Sequence, residues 1–553
     1  MNRNHILVFL VLINFVASAQ KSKKEDQQLL SSLKAHINFL ASDKLEGRRT
    51  GTEGERIAAV YISNQFKTSG LLPKGTSDYF QSFEIAEGRQ VNTASHLLID
   101  GHALKLNNDF FPLSYSANES LEAMPSMALQ EPQMPWFIDV KEVMEENSSN
   151  PHFDVAEAIK VKVTGMATKG ASAVFVYNTG DKADDLAFNG KEMISALNIP
   201  VVYITKSAAL KYINDPTASY DIKLKIDIGQ KKRTGKNVVG YIDNGAVTTI
   251  VLGAHFDHLG WGEDGNSMMR NGEKQLHNGA DDNASGTAAL IEMGRALKVS
   301  KNKQNNYLLI AFSGEELGLY GSKYFVENPT VDLSKVNYMI NMDMLGRLND
   351  SSRIMTVGGY GTSPAWGELY NAKSKQGLYK GNLNFKYDSS GTGPSDHTSF
   401  YRKDIPVLFF FTGLHVDYHK PSDDFDKINY EGEVQIVKHI LSLIENSGKK
   451  GSKFLFTKTR ETQMNTNTRF SVTLGVMPDY TYVGAGLRID GVSENKPAQK
   501  AGMKAGDIIT AIGGHKVSST ESYMQALNKF KKGDKTVVHY KRGTENLSSA
   551  IEF

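Results

Sequence analysis

Five continuous apolar runs, "NVVGYI", "VTTIVLGA", "NYLLIAF", "VNYMINM" and "IPVLFFF", fall between residues 236 and 447 and constrain the fold more than anything else in the chain. They are short, and none alternates cleanly between apolar and polar residues. Runs of this kind are strands buried on both faces, in a sheet covered by helices. Between two of them "NASGTAALIEMGRALK" carries helical periodicity, with Asn283 or Ser285 available as N-cap. Strand and helix alternate throughout, so the expected architecture is α/β, with a mixed, largely parallel central sheet flanked by helices.

The chain has 553 residues, too many for one core. Upstream lies a charged, helix-patterned stretch from Asp26 to Ser42, then the Gly-, Thr- and Arg-rich loop of "SDKLEGRRTGTEGE". Helical periodicity follows from about Glu53 to Thr68, with Ile57, Val60, Tyr61 and Phe66 on roughly one face. From His96 to Asp227 short strand-like runs ("HLLI", "SAVFVY", "IPVVYI") alternate with polar loops, and no His and acid cluster appears. This reads as an inserted, non-catalytic module. Residues 446 to 469 are polar and basic, as a linker is, and the last block is a small unit of short strands with one helix near "STESYMQALNKF".

Arg3, the apolar "ILVFLVLINFV" and the small-x-small "ASA" at residues 17 to 19 make a secretory signal peptide. The expected location is therefore exported, periplasmic or extracellular, with no stable membrane anchor after cleavage. There is no cysteine, so an exported chain of this kind relies on core size or bound metal for stability. Any metal site must use His and carboxylates. A net charge of +2 gives no sign of a nucleic-acid partner.

The His and acidic residues fall at strand ends. His255 and Asp257 follow "TIVLGA", Asp281 and Asp282 precede the helix in "NGADDNASG", and Glu315 and Glu316 follow "LLIAFSG". Asp343 follows "NYMINM", Asp396 and His397 lie in "GPSDHTSF", and His419 lies in "DYHKPSDDFD" beyond "VLFFFTG". Open α/β sheets bind ligands outside the carboxyl ends of their strands. Any one of these residues alone reads equally well as a capped or solvated side chain. Together, so many carboxylates on one edge would repel each other unless a cation joined them, and this donor set suits Zn, Mn or Co.

The motifs "GAHFDHLG", "GADDNASG", "SGEELGLYGS", "NMDMLGR" and "YHKPSDDFDKI" resemble those of M28 family metallopeptidases, the di-zinc aminopeptidase type. The resemblance implies a zinc-aminopeptidase-like fold and two Zn2+ per chain, with Mn2+ or Co2+ as alternatives. It places one ion on His255, Asp282 and Asp343 and the other on Asp282, Glu316 and His419, with Asp282 bridging. Glu315 is implied as general base toward the attacking water, Asp257 as the acid that orients His255, and Tyr418 as an oxyanion donor. Asp396 and Asp423 are implied as supporting acids near the site. His258 and His277 match no ligand position and are expected in loop or rim roles; Asp281 is expected to support the bridging loop. Arg347 suits a substrate carboxylate or a paired acid equally.

The implied function is an exported zinc-dependent exopeptidase, an aminopeptidase acting on peptides by two-metal, Glu-assisted water attack. Carboxypeptidase or dipeptidase specificity, a glutaminyl-cyclase-like acyltransferase and a catalytically inactive peptide-binding protein are the alternatives. The inserted module resembles a β-rich PA domain through "KVTGMATKGASAVFVYN" and "IPVVYITKSAALKYI". The final block resembles a PDZ domain through "PAQKAGMKAGDII", with "TLGV" as the loop that would take a peptide C-terminus. The expected organisation is signal peptide 1–19, catalytic domain 20–95 and 236–447, PA-like insertion 96–235, linker 448–469 and PDZ domain 470–553.

Overall fold

The computed structural model describes residues 23–148, 153–190, 195–269, 273–371, 377–448, 453–459, 472–478, 482, 484–492, 496–518, 520–527 and 529–553. The expected targeting segment and the 460–469 part of the expected linker lie outside them. The chain forms two compact units, of which residues 86–233 make nearly all of the second.

The apolar runs form the centre of a nine-stranded mixed sheet. Its strands include β1 (Ile228–Ile242), β2 (Thr249–His255), β3 (Asn306–Phe312), β4 (Val336–Met342), β5 (Ile354–Gly358), β6 (Asn384–Tyr387) and β7 (Val407–Phe411). The order β1-β3-β2-β4-β7-β5-β6 holds four parallel neighbours, β3, β2, β4 and β7, at its middle. β1 and β5 flank them antiparallel. Alternate residues serve opposite faces. Leu252, Leu309, Ile340 and Leu408 enter one core, while Val251, Leu308, Met339 and Val407 enter another with Phe325 and Phe400.

Helices α1 (Glu53–Thr68), α2 (Gly286–Val299) and α4 (Tyr430–Gly448) contribute to the first core, and α3 (Tyr320–Glu327) contributes Phe325 to the second. The buried face of α1 is Ala58, Ala59, Ile62 and Phe66 rather than the expected stripe, and Val60 is exposed. The small alanines let the helix approach closely, which a hydrophobicity pattern underweights. At the start of α2 it is Asn283, not Ser285, that caps: its Oδ1 accepts the Gly286 N–H at 2.9 Å.

The expected linker is docked over its first part. Phe454 stacks against Tyr338 and meets Trp366 edge-on, with ring centroids 5.1 Å away in each case. The Thr459 N–H donates to the Tyr401 hydroxyl at 2.9 Å. A few aromatics in a polar stretch are enough to pin it.

In the second unit, strands Pro135–Asp139, Ala173–Tyr177 and Val201–Ile204 are parallel neighbours, with helices Val140–Glu146, Val155–Thr168 and Lys206–Tyr212 between or after them. A separate four-stranded antiparallel sheet completes it. The module is therefore as much α/β as β. The C-terminal block has its own core of Leu474, Leu487, Ile489, Ala498, Ile509, Ile512 and Val538. Among the described residues its strand Val476–Pro478 lies at the end of the sheet order, beside Leu487–Val492. Among the described residues no helix is long and apolar enough to cross a membrane.

Two core histidines make stability pH-dependent. His397 stacks on Phe409 at 4.5 Å, and burial pushes its pKa down to about 3. His439 donates from Nδ1 to the Tyr379 carbonyl and accepts from the Tyr370 hydroxyl at 2.9 Å; burial pushes it down to about 4. Both are neutral in the fold at pH values where the unfolded chain takes up a proton, below about 6.5. Stability is therefore lost as pH falls from about 6.5 toward 4, by about 1.4 kcal/mol per unit for each histidine. His397→Phe keeps the stack, so chemical unfolding of this variant should show a shallower loss of stability across that window. A slope equal to wild type would contradict this account of His397.

Candidate metal centre

Parallel register brings the carboxyl ends of β2, β3, β4 and β7 to one edge, with His255 opposite Phe312. His255 closes β2, and Asp343 directly follows β4. Glu315 and Glu316 lie just beyond β3, in a turn made by Gly314 and Gly318 at φ 72° and 108°, a region that favours glycine. Asp282 lies in the irregular turn Ala280–Ser285 ahead of α2. His419 sits at φ 54°, an uncommon conformation for a residue with a side chain and one found at functional sites.

These side chains meet. His255 Nε2 lies 3.3 Å from Asp282 Oδ1 and 3.3 Å from Asp343 Oδ1. His419 Nε2 lies 3.2 Å from Asp282 Oδ2 and 3.1 Å from Glu316 Oε2. The two oxygens of Asp282 thus face two different imidazoles. Two groups, His255–Asp282–Asp343 and His258–Asp282–Glu316, bring one donor atom each to within 4.8 Å of one another. The donors are buried or half-buried imidazoles and carboxylates, a set that fits a transition-metal cation.

The charges are strained in the sense such a cation relieves. Burial disfavours Asp282 as an anion, but hydrogen bonds from His255 and His419 and the charges of His258 and His419 hold its carboxyl well below the usual range. Glu316 is likewise held at about 2, burial being outweighed by His419, with His258 adding to it. Both imidazoles pay for burial too, and the carboxylates still raise His255 and His419 well above the ordinary histidine value. Glu315 moves the other way. Desolvation of its carboxyl, opposed by His255 and reinforced by Asp343, Glu316 and Asp396, pushes it well above the carboxylate range.

Several residues differ from expectation. His258 is no rim residue: it is buried, and its Nδ1 lies 2.7 Å from Glu316 Oε1. Asp257 does not bond His255 through its carboxylate, which lies 3.7 Å from Nδ1; the nearer contact is its own carbonyl, at 3.2 Å. The carboxylate instead accepts the N–H groups of Glu315 and Glu316 at 3.2 and 3.4 Å and the Thr50 hydroxyl at 2.9 Å. β2 and β3 are neighbours, so the loop after one abuts the turn after the other. Asp396 is fully buried with no hydrogen-bond partner among the described residues, and burial pushes it to about 7.

The residue that holds Asp343 is Ser395, whose hydroxyl donates to Oδ2 at 2.7 Å and accepts from Asn341 at 2.8 Å. Asp423 accepts the N–H groups of Asp281 and Asp282, both at 3.0 Å. Asp281 Oδ1 accepts the Gly346 N–H at 2.6 Å and the Ser285 hydroxyl at 3.0 Å. Tyr418 stacks on His419 at 3.9 Å, His277 fixes its loop through Ser267 at 2.8 Å, and Arg347 pairs with Asp417 at 3.0 Å. Ser395 and Asn341 carried no sequence signal of their own, because their partners are far away in the chain.

Residues 237–444 match the model of Peptidase family M28, and residues 456–553 match that of the PDZ domain. The chain thus carries a segment that matches the M28 peptidase domain, followed by one that matches the PDZ domain. Among characterised relatives, Aminopeptidase YwaD of Bacillus subtilis (strain 168) is 27% identical over 308 residues, covering 53% of this chain and 60% of that protein. Leupeptin-inactivating enzyme 1 of Streptomyces exfoliatus is 28% identical over 198 residues, covering 35% of this chain and 39% of that protein. The chain thus spans less than two thirds of either relative's length. Of solved structures, the aminopeptidase from Aneurinibacillus sp. strain AM-1 is similar at 21% identity and a TM-score of 0.41, covering 79% of this chain and 97% of that one.

Proposed function

We propose that this chain is an exported zinc-dependent aminopeptidase that removes N-terminal residues from peptides. The observation that carries the reading is Asp282, whose two oxygens each face a different histidine, with Asp343 and Glu316 completing two adjacent donor sets. His255, Asp282 and Asp343 would hold one Zn2+, and Asp282, Glu316 and His419, with His258 beside them, the other. Bound zinc would supply Lewis acidity toward a peptide carbonyl and acidify water. Glu315, beside these donors and raised above the usual carboxylate range by burial, takes a proton from the attacking water and returns it to the leaving amine. Tyr418 presents a phenol that burial keeps protonated, suited to donate to a developing oxyanion.

In the PDZ block, the 473–476 loop leads into strand Val476–Pro478 at the end of the sheet order, the place where a peptide ending in a free carboxylate would add as a strand. Residues 86–233 are proposed as the PA-like module.

The test is a panel of peptides with free and blocked amino termini, offered to zinc-loaded protein whose metal content is measured. Hydrolysis of the free-amine peptides with about two zinc ions per chain supports the reading. Turnover confined to blocked peptides contradicts the aminopeptidase assignment, and one ion at full occupancy contradicts the paired site.

A further inference from the structure

The M28 match begins at residue 237, yet the loops that carry the metal donors are laced to residues 47–50, far upstream. Each residue of "GRRT" holds the segment 256–279. The carbonyls of Gly47 and Arg48 accept the N–H groups of Gly260 and His258 at 3.2 and 3.3 Å. Arg49 makes two bonds to Asp264, each 2.8 Å, and Thr50 bonds Asp257. The Arg48 guanidinium donates to the carbonyls of Phe256 at 2.7 Å, Asn278 at 2.6 Å, Gly279 at 2.9 Å and Leu40 at 2.5 Å.

Arg48 is completely buried, and every one of these acceptors is a carbonyl. Its hydrogen bonds all go to neutral dipoles, and the charges of Asp282, Asp257, Asp423 and Glu316 offset its burial only in part; a cation held so is expensive unless its position is itself needed. Phe256 follows His255, and Asn278 and Gly279 lead into Asp282, so one rigid fork spans two donor-bearing loops. The backbone is strained in the same place. Glu46, Gly47 and Arg48 lie at φ 45°, 65° and 49°, and such a run persists only where the surroundings over-determine it. At Gly47 an added Cβ would come 2.4 Å from the His277 carbonyl oxygen, so the strap lies too close to the loop for any other residue.

We infer that Arg48 is a positioning residue for the metal centre: its fork fixes the His255 loop against the Asp282 turn, and its charge offsets the carboxylates gathered there. The inference rests on the zinc reading of the site. It is tested by titrating the metal-free full chain with zinc against a competing chelator dye, with melting temperature measured in parallel. Arg48→Lys keeps the charge but replaces a fork that reaches four carbonyls with a point donor. It should weaken zinc about 10-fold, and Arg48→Met about 100-fold. Ile37→Ala, a cavity variant in the core beside the strap, should lower the melting temperature while leaving zinc affinity within about threefold.

Zinc affinity unchanged in folded Arg48→Lys and Arg48→Met overturns the inference, as does a loss no greater than Ile37→Ala shows at equal melting temperature. A wild-type chain that takes up no zinc removes the metal reading instead. Should Arg48→Met fail to fold, Thr50→Val, which removes the strap's bond to Asp257, decides beside Arg48→Lys: zinc weakened in both supports the inference, and zinc unchanged in both overturns it.

Discussion

Glu315→Gln should keep its zinc and lose turnover by about 10²–10⁴-fold, the range for removing a positioned general base. The amide is nearly isosteric, so the turn after β3 should keep its shape. That turn is held through backbone N–H groups on Asp257, not through the Glu315 side chain. No donor that faces the bridging aspartate is removed. What disappears is a carboxyl that burial raises well above its usual range, and a cation nearby would bring it back down. Metal analysis and steady-state kinetics on the same preparation check the outcome. Full zinc with near-normal turnover would show that Glu315 is not the base, and lost zinc would make it a ligand.

Asp282→Asn should do the reverse and empty both sites, taking metal content from about two ions to near none and activity down by about 10⁴-fold or more. One carboxylate serves both donor sets, so its loss is shared by both. Loss of only one ion would show that the flanking residues suffice for the other. A linked result concerns pH. The carboxylates hold His255 and His419 protonated without metal, so zinc must displace protons to bind. Zinc affinity should fall as pH falls, and the calorimetric heat of binding should change with the ionisation enthalpy of the buffer. Buffer-independent heats would contradict proton displacement.

How much of this was readable from the chain depends on distance along it. The buried strands announce themselves because a strand covered on both faces has no polar alternation. Their parallel order then forces residues such as His255 and Asp343 onto one edge. His258 could not be placed in this way. It follows His255 by three residues, and whether it turns outward or toward Glu316 depends on how the 256–279 loop is tied down. The tie comes from residues 47–50, and nothing local records it. The further partners of Asp257 were hidden for a related reason. Its position suggested an imidazole partner, but the neighbouring turn supplies two N–H groups that compete for the same oxygens. Ser395 and Asn341 are polar residues like many others until β4 and the 395 turn are side by side.

Phe454 has a consequence for the order in which the chain can fold. Its ring closes a slot between Tyr338 and Trp366, so the catalytic core is incomplete until residue 454 has been synthesised. The first described helix, residues 23–40, waits almost as long, since Asp26 pairs with Lys438 at 2.8 Å, 412 positions away. Pairings of such separation form late and slowly. During synthesis the amino-terminal stretch therefore spends most of its time without its native partners. A chain that cannot finish folding early remains threadable, which is the condition that passage across a membrane before folding would demand.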